Sequence, residues 1–419
     1  MTNTNNTSQS GRVITRRSIL RGATLTALLS ITGTNVSAAT TDSKGASSSS
    51  SVDETSLLTE YQDNVLWYRI GDKSDREAFH DAVATAGGGV TTLGIATVED
   101  DRTEGWQYDW TTDGDKRWTA LHGQSGRDAL FGGTRTTTNG YAICGHSRSE
   151  NADTTQVYVV ETNRRGRDRW TTRFHLDQRV DDRATDIVQT TDGKFVIAGS
   201  SATRATMATL DATGDVQWTH TYAGGESLEA VSILETDDGF VLGGTVTDQD
   251  ETTACFLLKT DSRGQEQWRR RYRTGKASRL AECISTETGY LIAGTTKQEN
   301  AFTTDALVVK TTLQGDVVWE QTYGQPGAHS TANSVTAIGD SYVIAGSRSE
   351  DLIGQQVWLN QLDKSGNRTW STTFGTEREE TPYEIVPTKD GNLAICGTRN
   401  PADSNDCYEG FVVKVTLAC

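Results

Sequence analysis

The twelve residues Asp261–Tyr272, DSRGQEQWRRRY, decide how the rest of this chain is read. Asp261 and Gly264 bracket a tight turn. An Asp side chain accepts from backbone N–H groups just ahead of it, and Gly takes the left-handed conformation without steric cost. Behind the turn, Gln265–Tyr272 reads as a strand anchored by Trp268. The same unit recurs with its Trp at 118, 170, 218, 268, 319 and 370, and in degenerate form at Trp67. The spacings are 51, 52, 48, 50, 51 and 51 residues. So constant a period marks a repeat architecture, in which each unit buries its apolar face against the next.

One repeat, Ser227 to Tyr272, parses into four short strands. Ser227–Glu235 has strand character, and Asp237-Asp238-Gly239 turns the chain. Phe240–Val246 is a more buried strand, and Asp248–Thr252 is a polar loop. Cys255–Thr260 is the third strand, and Gln265–Tyr272 is the fourth. The second-strand motif returns as Tyr141–Gly145, Phe195–Gly199, Tyr290–Gly294, Tyr342–Gly346 and Leu393–Gly397. The third returns as Leu307–Lys310 and Phe411–Lys414. The whole chain has only four Pro, as many short ladders demand. The expected fold is all-β: a seven-bladed β-propeller of four-stranded antiparallel blades. It opens with a fourth-type strand, Asn64–Ile70, and ends with a third-type one, Phe411–Lys414. The simplest ring is therefore closed by the N-terminal outer strand, which hides an edge.

Asp-x-x-Gly-x-x-x-Trp-x-x-x-Tyr/Phe, Asp-Gly-Phe/Tyr, Ala-Gly-Thr/Ser and Leu-Val-Lys together resemble secreted bacterial and archaeal propeller repeats of the quinoprotein-like group. The resemblance covers residues 61 to 419 and implies the fold. It does not carry a quinone cofactor: there is no Cys-Cys pair, the count is seven rather than eight, and the turn is one residue shorter. The repeated Trp residues are read as wedges sealing neighbouring blades, and no cofactor is expected.

Residues 1–39 read as a twin-arginine export signal. Thr15-Arg16-Arg17-Ser18-Ile19-Leu20-Arg21 is followed by an apolar stretch to about Ile31 and a small-residue end, Val36–Ala39. That stretch is too short to span a bilayer. Residues 40–60, with five consecutive Ser at 47–51, read as a disordered linker, and 61–419 as the propeller. The formal charge is −16, and the first 39 residues carry four Arg and no acid, so their removal takes it to −20. Such a surface argues against nucleic acid and anionic lipid. The Asp- and Thr-rich, Lys-poor composition is similar to that of salt-loving archaea. The expected protein is an extracellular or cell-surface monomer without a transmembrane anchor. Its partners are the twin-arginine export machinery and a glycan or protein ligand.

No chemistry-bearing motif stands out. The six Cys fit no zinc spacing, and Cys144 and Cys396 occupy a slot that is Ala or Gly in other repeats, as small buried residues do. A Cys396–Cys407 bridge is geometrically open. No calcium loop, phosphate-binding Gly loop or His-Glu-x-x-His occurs, so neither a metal nor a catalytic residue is assigned. Asn367-Arg368-Thr369 is a glycosylation sequon in a turn. The leading expectation is a non-catalytic binding module; the alternative is a polysaccharide hydrolase or lyase using acids from different blades. Connections into first and third strands are long and varied, and those into second and fourth strands are tight turns. A site is therefore expected on the long-loop face. Arg127, Asp128, Asp182, Arg183, Glu229 and Arg279, at the entries to first strands, are the candidates for a polar funnel.

Overall fold

The computed structural model describes residues 64–72, 76–98, 102–123, 126–176, 180–225, 227–299, 301–350, 353–376, 378–400 and 408–417. The expected signal, the linker and Cys407 lie outside them. No α-helix occurs among the described residues, and therefore none that could cross a membrane.

The strands fall into seven antiparallel units of about fifty residues. The first runs Glu77–Ala84, Val90–Thr97, Thr103–Trp110 and Lys116–His122; the fourth runs Ser227–Thr236, Gly239–Thr247, Thr253–Asp261 and Glu266–Tyr272. Where two units share an eight-stranded sheet, a single parallel bridge joins them, Thr103 to Arg127 or Thr253 to Ala277. The last unit takes its strands from both ends of the chain. Val65–Ile70 pairs antiparallel with Glu409–Val415, and Tyr68 stacks on Phe411 at 5.5 Å. The N-terminal strand thus occupies the place the sequence left empty.

The Asp-x-x-Gly turn works as its residues require. Asp261 Oδ1 accepts from the N–H groups of Arg263 (2.9 Å) and Gln265 (2.8 Å). Asp211 and Asp363 make the same pair of bonds in their own turns. Each turn also receives the unit before it. The Trp268 ring lies under Gly315, and Tyr272 donates to the Gly315 carbonyl at 2.8 Å; Tyr222 meets Gly264 and Tyr323 meets Gly366 in the same way. Trp67 lies under Gly114 and donates to the Thr112 carbonyl at 2.8 Å, so the N-terminal strand docks like the others. Trp370 has no such turn to meet, because the chain ends lie there; it packs in the cluster that holds Val65 and Leu417. Trp67 is buried, whereas the other six are half-buried, so they seal the rim with one edge in water.

Seven apolar clusters lie between successive units, one of them joining Phe79 and Trp106 of the first to Cys396 and Val412 of the last. A second, polar set of contacts runs nearer the first strands. Six of the seven first strands carry a one-residue bulge, between Phe79 and Asp81, Leu130 and Gly132, Ala184 and Asp186, Ala230 and Ser232, Leu280 and Glu282, and Pro382 and Glu384. Except in the second unit, where it is Gly132, the residue after the bulge carries a buried polar side chain, and several of these reach the next unit. Asp81 accepts from Gly133 N (2.7 Å), Asp186 from Ile233 N (2.8 Å) and Glu282 from Val335 N (2.6 Å). Ser232 donates to the Cys283 carbonyl, and Ser334 accepts from Ile385 N. Opposite these residues sit Leu93, Ala198, Gly243, Ala293, Ala345 and Cys396, small in all but the first unit, and Cys144 lies opposite Gly132. Cys144, Cys255, Cys283 and Cys396 are all buried free thiols.

Two predictions follow from this packing. A chain beginning at residue 72 lacks the strand that covers Glu409–Val415 and the Tyr68 and Trp67 rings. It should aggregate or lose cooperative unfolding; a melt matching that of the intact chain would refute the role of that strand. Gly315 has φ +81°, and a Cβ there would lie 2.8 Å from Arg270 Cγ and 2.9 Å from the Trp268 ring. Gly391 has φ +82° and open space around it. Gly391→Ala should therefore cost only the left-handed strain, about 1–2 kcal/mol. Gly315→Ala should add roughly 1–3 kcal/mol of overpacking. Equal shifts in the guanidinium midpoint would show that the Trp–turn contact has slack.

Candidate functional site

The first strand of each unit lies at the side opposite the Trp strand, with the Thr103–Arg127 and Thr253–Ala277 bridges on two of them. Glu77–Ala84 lies against Gly126–Arg135 on one side and against Glu379–Pro387 on the other, so first strands of successive units face one another. On these strands the bulged residue and the one two places before it vary in burial: His80, Phe131 and Tyr383 of the first set and Arg183, Glu229 and Arg279 of the second reach water, whereas Thr185, Val231, Ala78 and Ala129 are buried.

The six funnel candidates sit in these strands rather than in loops, and they divide by burial. Asp128 and Asp182 are buried. Asp182 Oδ2 accepts from Leu176 N at 2.8 Å and lies 3.4 Å from His175 Nδ1, so it holds the loop that precedes its own strand. Asp128 takes the same position in its unit, packed against Gly123. Glu380 does likewise: it accepts from the backbone and hydroxyl of Thr376, and burial pushes its carboxyl up to about 7. Arg183, Glu229 and Arg279 come two places before the bulge in three consecutive units. Arg183 lies 3.6 Å from Glu229 Oε1 and donates to Ser200 Oγ. Thr245, opposite Glu229, accepts from Leu280 N at 3.1 Å, which sets Arg279 beside them. Arg279 and Arg127 are exposed.

The bulged positions supply what the sequence reading missed. His80 stacks on Phe131 at 5.1 Å and meets Tyr383 at 5.9 Å, so rings from three units converge. His80 Nδ1 lies 2.9 Å from the Leu130 carbonyl. Phe131 also touches His146, at 5.4 Å, on the strand paired with its own. All four rings keep part of their surface in water. Burial, the Arg183 charge and those of His80 and Arg148 hold the His146 imidazole down to about 4, with Asp181 opposing. Along the facing first strands, an aromatic sector thus meets a charged one. Nothing in the sequence marked His80, Phe131 or Tyr383, because the bulge puts them out of step with the strand alternation.

Among the described residues no three His, Cys, Asp or Glu side chains gather to hold a metal. Two clefts are present elsewhere. One of about 450 Å³ is bounded by Gly225, Asp248, Asp250 and Arg273 on the long-loop face. The other, of about 410 Å³, lies among tight turns, lined by Asp192, Lys194, Trp218 and Glu235. That second cleft was not expected; the half-buried Trp218 fills only part of the gap between two sheets. Asn367 is exposed, with its amide bonded to Asp363 Oδ2 at 3.0 Å.

No family model and no curated protein matches the chain. Solved structures match in shape. Drosophila Plexin A, in complex with Semaphorin 1b, superposes with a TM-score of 0.51 at 8% identity, over 85% of this chain and 88% of that one. The extracellular domains 1-2 of Drosophila Semaphorin 1b superpose with a TM-score of 0.50 at 8% identity, over 85% and 87%. The likeness is one of fold, an all-β propeller-like arrangement. The quinoprotein-like resemblance remains one of motif.

The low pKa of His146 sets a pH dependence. Above the ordinary value of 6.5 the ring is neutral in both folded and unfolded chains, and this source of stability is fully present. As pH falls below 6.5 the unfolded chain takes up a proton and the folded one does not until about 4, so stability is lost across that window. His146→Gln should lose roughly 2–3 kcal/mol less than the parent between neutral pH and the lower end of the window. Guanidinium titrations at both pH values check it, and parallel losses would mean that His146 is solvated.

Proposed function

We propose that this chain is an exported seven-bladed propeller acting as a binding module, with a glycan docking at the opening ringed by the first strands. The closed ring is supported by the apolar cluster between the first and last units and by the pairing of Val65–Ile70 with Glu409–Val415. Export is supported by the twin-arginine pattern at Arg16-Arg17. The observation that carries the binding reading is the convergence of Tyr383, His80 and Phe131 from three units beside Arg183 and Glu229 from two more. Partly exposed rings offer flat apolar faces for sugar rings, and the charged pair offers directional hydrogen bonds. Many carboxylates near the opening have another task. Asp81, Asp182, Asp186 and Glu282 each hold a backbone N–H, which favours binding over hydrolysis by paired acids.

Binding of the purified chain to a glycan array tests the reading. At least one glycan should be retained by the parent and lost, by tenfold or more in affinity, on Phe131→Ala or Tyr383→Ala. Retention of every hit in both variants, with the thermal midpoints checked alongside, would remove the opening as the site.

A further inference from the structure

The rim of this opening holds positive charge that no acid among the described residues answers. Arg127 and Arg148 are directly opposite each other on the antiparallel pair Gly126–Arg135 and Tyr141–Ser149. Like charges at such a position repel across about 5 Å and destabilise the pair. The chain carries 56 acids against 40 bases, so an acidic neighbour would be the common outcome. Yet neither arginine makes an ion pair among the described residues. The nearby acid Asp181 is already engaged, accepting from Thr155 N at 2.8 Å.

Strand alternation puts Arg127 and Arg148 on one face of their sheet with His146, two residues further in. His146 touches Phe131 and feels the Arg183 charge from the next unit. Two guanidiniums at the rim, a ring platform about 7 Å further along the strands and the Arg183 charge of the next unit thus lie in one region. Guanidinium forks match carboxylates in a bidentate way, and the aromatic rings match the flat face of a pyranose.

Resting on the glycan reading above, we infer that the opening recognises an anionic glycan, whose acid group lies between Arg127 and Arg148 and whose sugar ring lies on Phe131 and His146. The arginine pair is then tolerated in the free protein because the ligand's charge neutralises it. In strong salt the exposed half of this attraction is screened, and the partly buried half persists.

The test uses the full chain and a panel of hexuronate tetrasaccharides. Each is paired with its carboxyl-reduced, neutral counterpart and with a sulfated hexose tetrasaccharide. The carboxylated members should bind at least tenfold more tightly than their neutral counterparts; sulfated binding at equal strength would extend the same site to sulfate. R127Q/R148Q should abolish that preference while melting no lower than the parent, since a repulsive pair has been removed. Equal affinity for carboxylated and reduced forms, or an unchanged preference in the double variant, overturns the anionic assignment and leaves the glycan reading standing. Failure of every oligosaccharide, neutral and charged, removes both.

Discussion

Each four-stranded sheet here has two faces and too few residues to cover either, so the structure depends on the contact between one sheet and the next. That contact is made twice. At the rim, a Trp ring and a Tyr hydroxyl from one unit meet the third-to-fourth turn of the next, as Trp268 and Tyr272 meet Gly315. Near the first strands, a buried Asp, Ser or Glu from one unit takes or gives a hydrogen bond to the backbone of the next. The rim contact is mainly area and shape. The inner one is polar, and a buried carboxylate is tolerated because backbone N–H groups replace its water. Asp186 accepts from Ile187 N as well as from Ile233 N, so one side chain fixes the bulge and the neighbouring sheet together.

The rim was legible in the sequence because its residue types are unusual and in step: Asp, Gly, Trp and an aromatic at fixed offsets. The pairing of the chain ends was legible for the same reason, since a fourth-type strand with no third strand before it has only one vacant partner. The inner belt was not legible. Asp81, Asp186, Ser232, Glu282, Ser334 and Glu384 differ in type, and acids are common throughout this chain. Only the register shows that they are one position. The small slot holding Cys144 and Cys396 was seen as small and buried; only the pairing shows what lies opposite, Gly132 for the one and Glu384 for the other.

The candidate residues near the opening show the same limit. Asp128 and Arg127 are adjacent in sequence and similar in polarity, yet one is buried beneath its loop and the other exposed. Alternation separates them, but the sequence gives no sign of which face looks inward. The bulge then shifts the phase by one residue, which hid His80, Phe131 and Tyr383 from a reading based on period two.

Comparing repeats within this one chain separates structural positions from variable ones. The position after the bulge stays hydrogen-bonding in six of seven units, and the turn Gly under each docked Trp is kept. The bulged position itself runs His80, Phe131, Thr185, Val231, Ala281, Asn333 and Tyr383, and two places earlier the series is Ala78, Ala129, Arg183, Glu229, Arg279, Thr331 and Thr381. Seven copies under one packing constraint would be expected to agree where packing decides. They disagree at these two positions, and the disagreement is grouped: rings in neighbouring units, then charges in neighbouring units. A symmetric scaffold thereby presents an asymmetric opening, which a single oriented ligand requires and a purely structural ring does not.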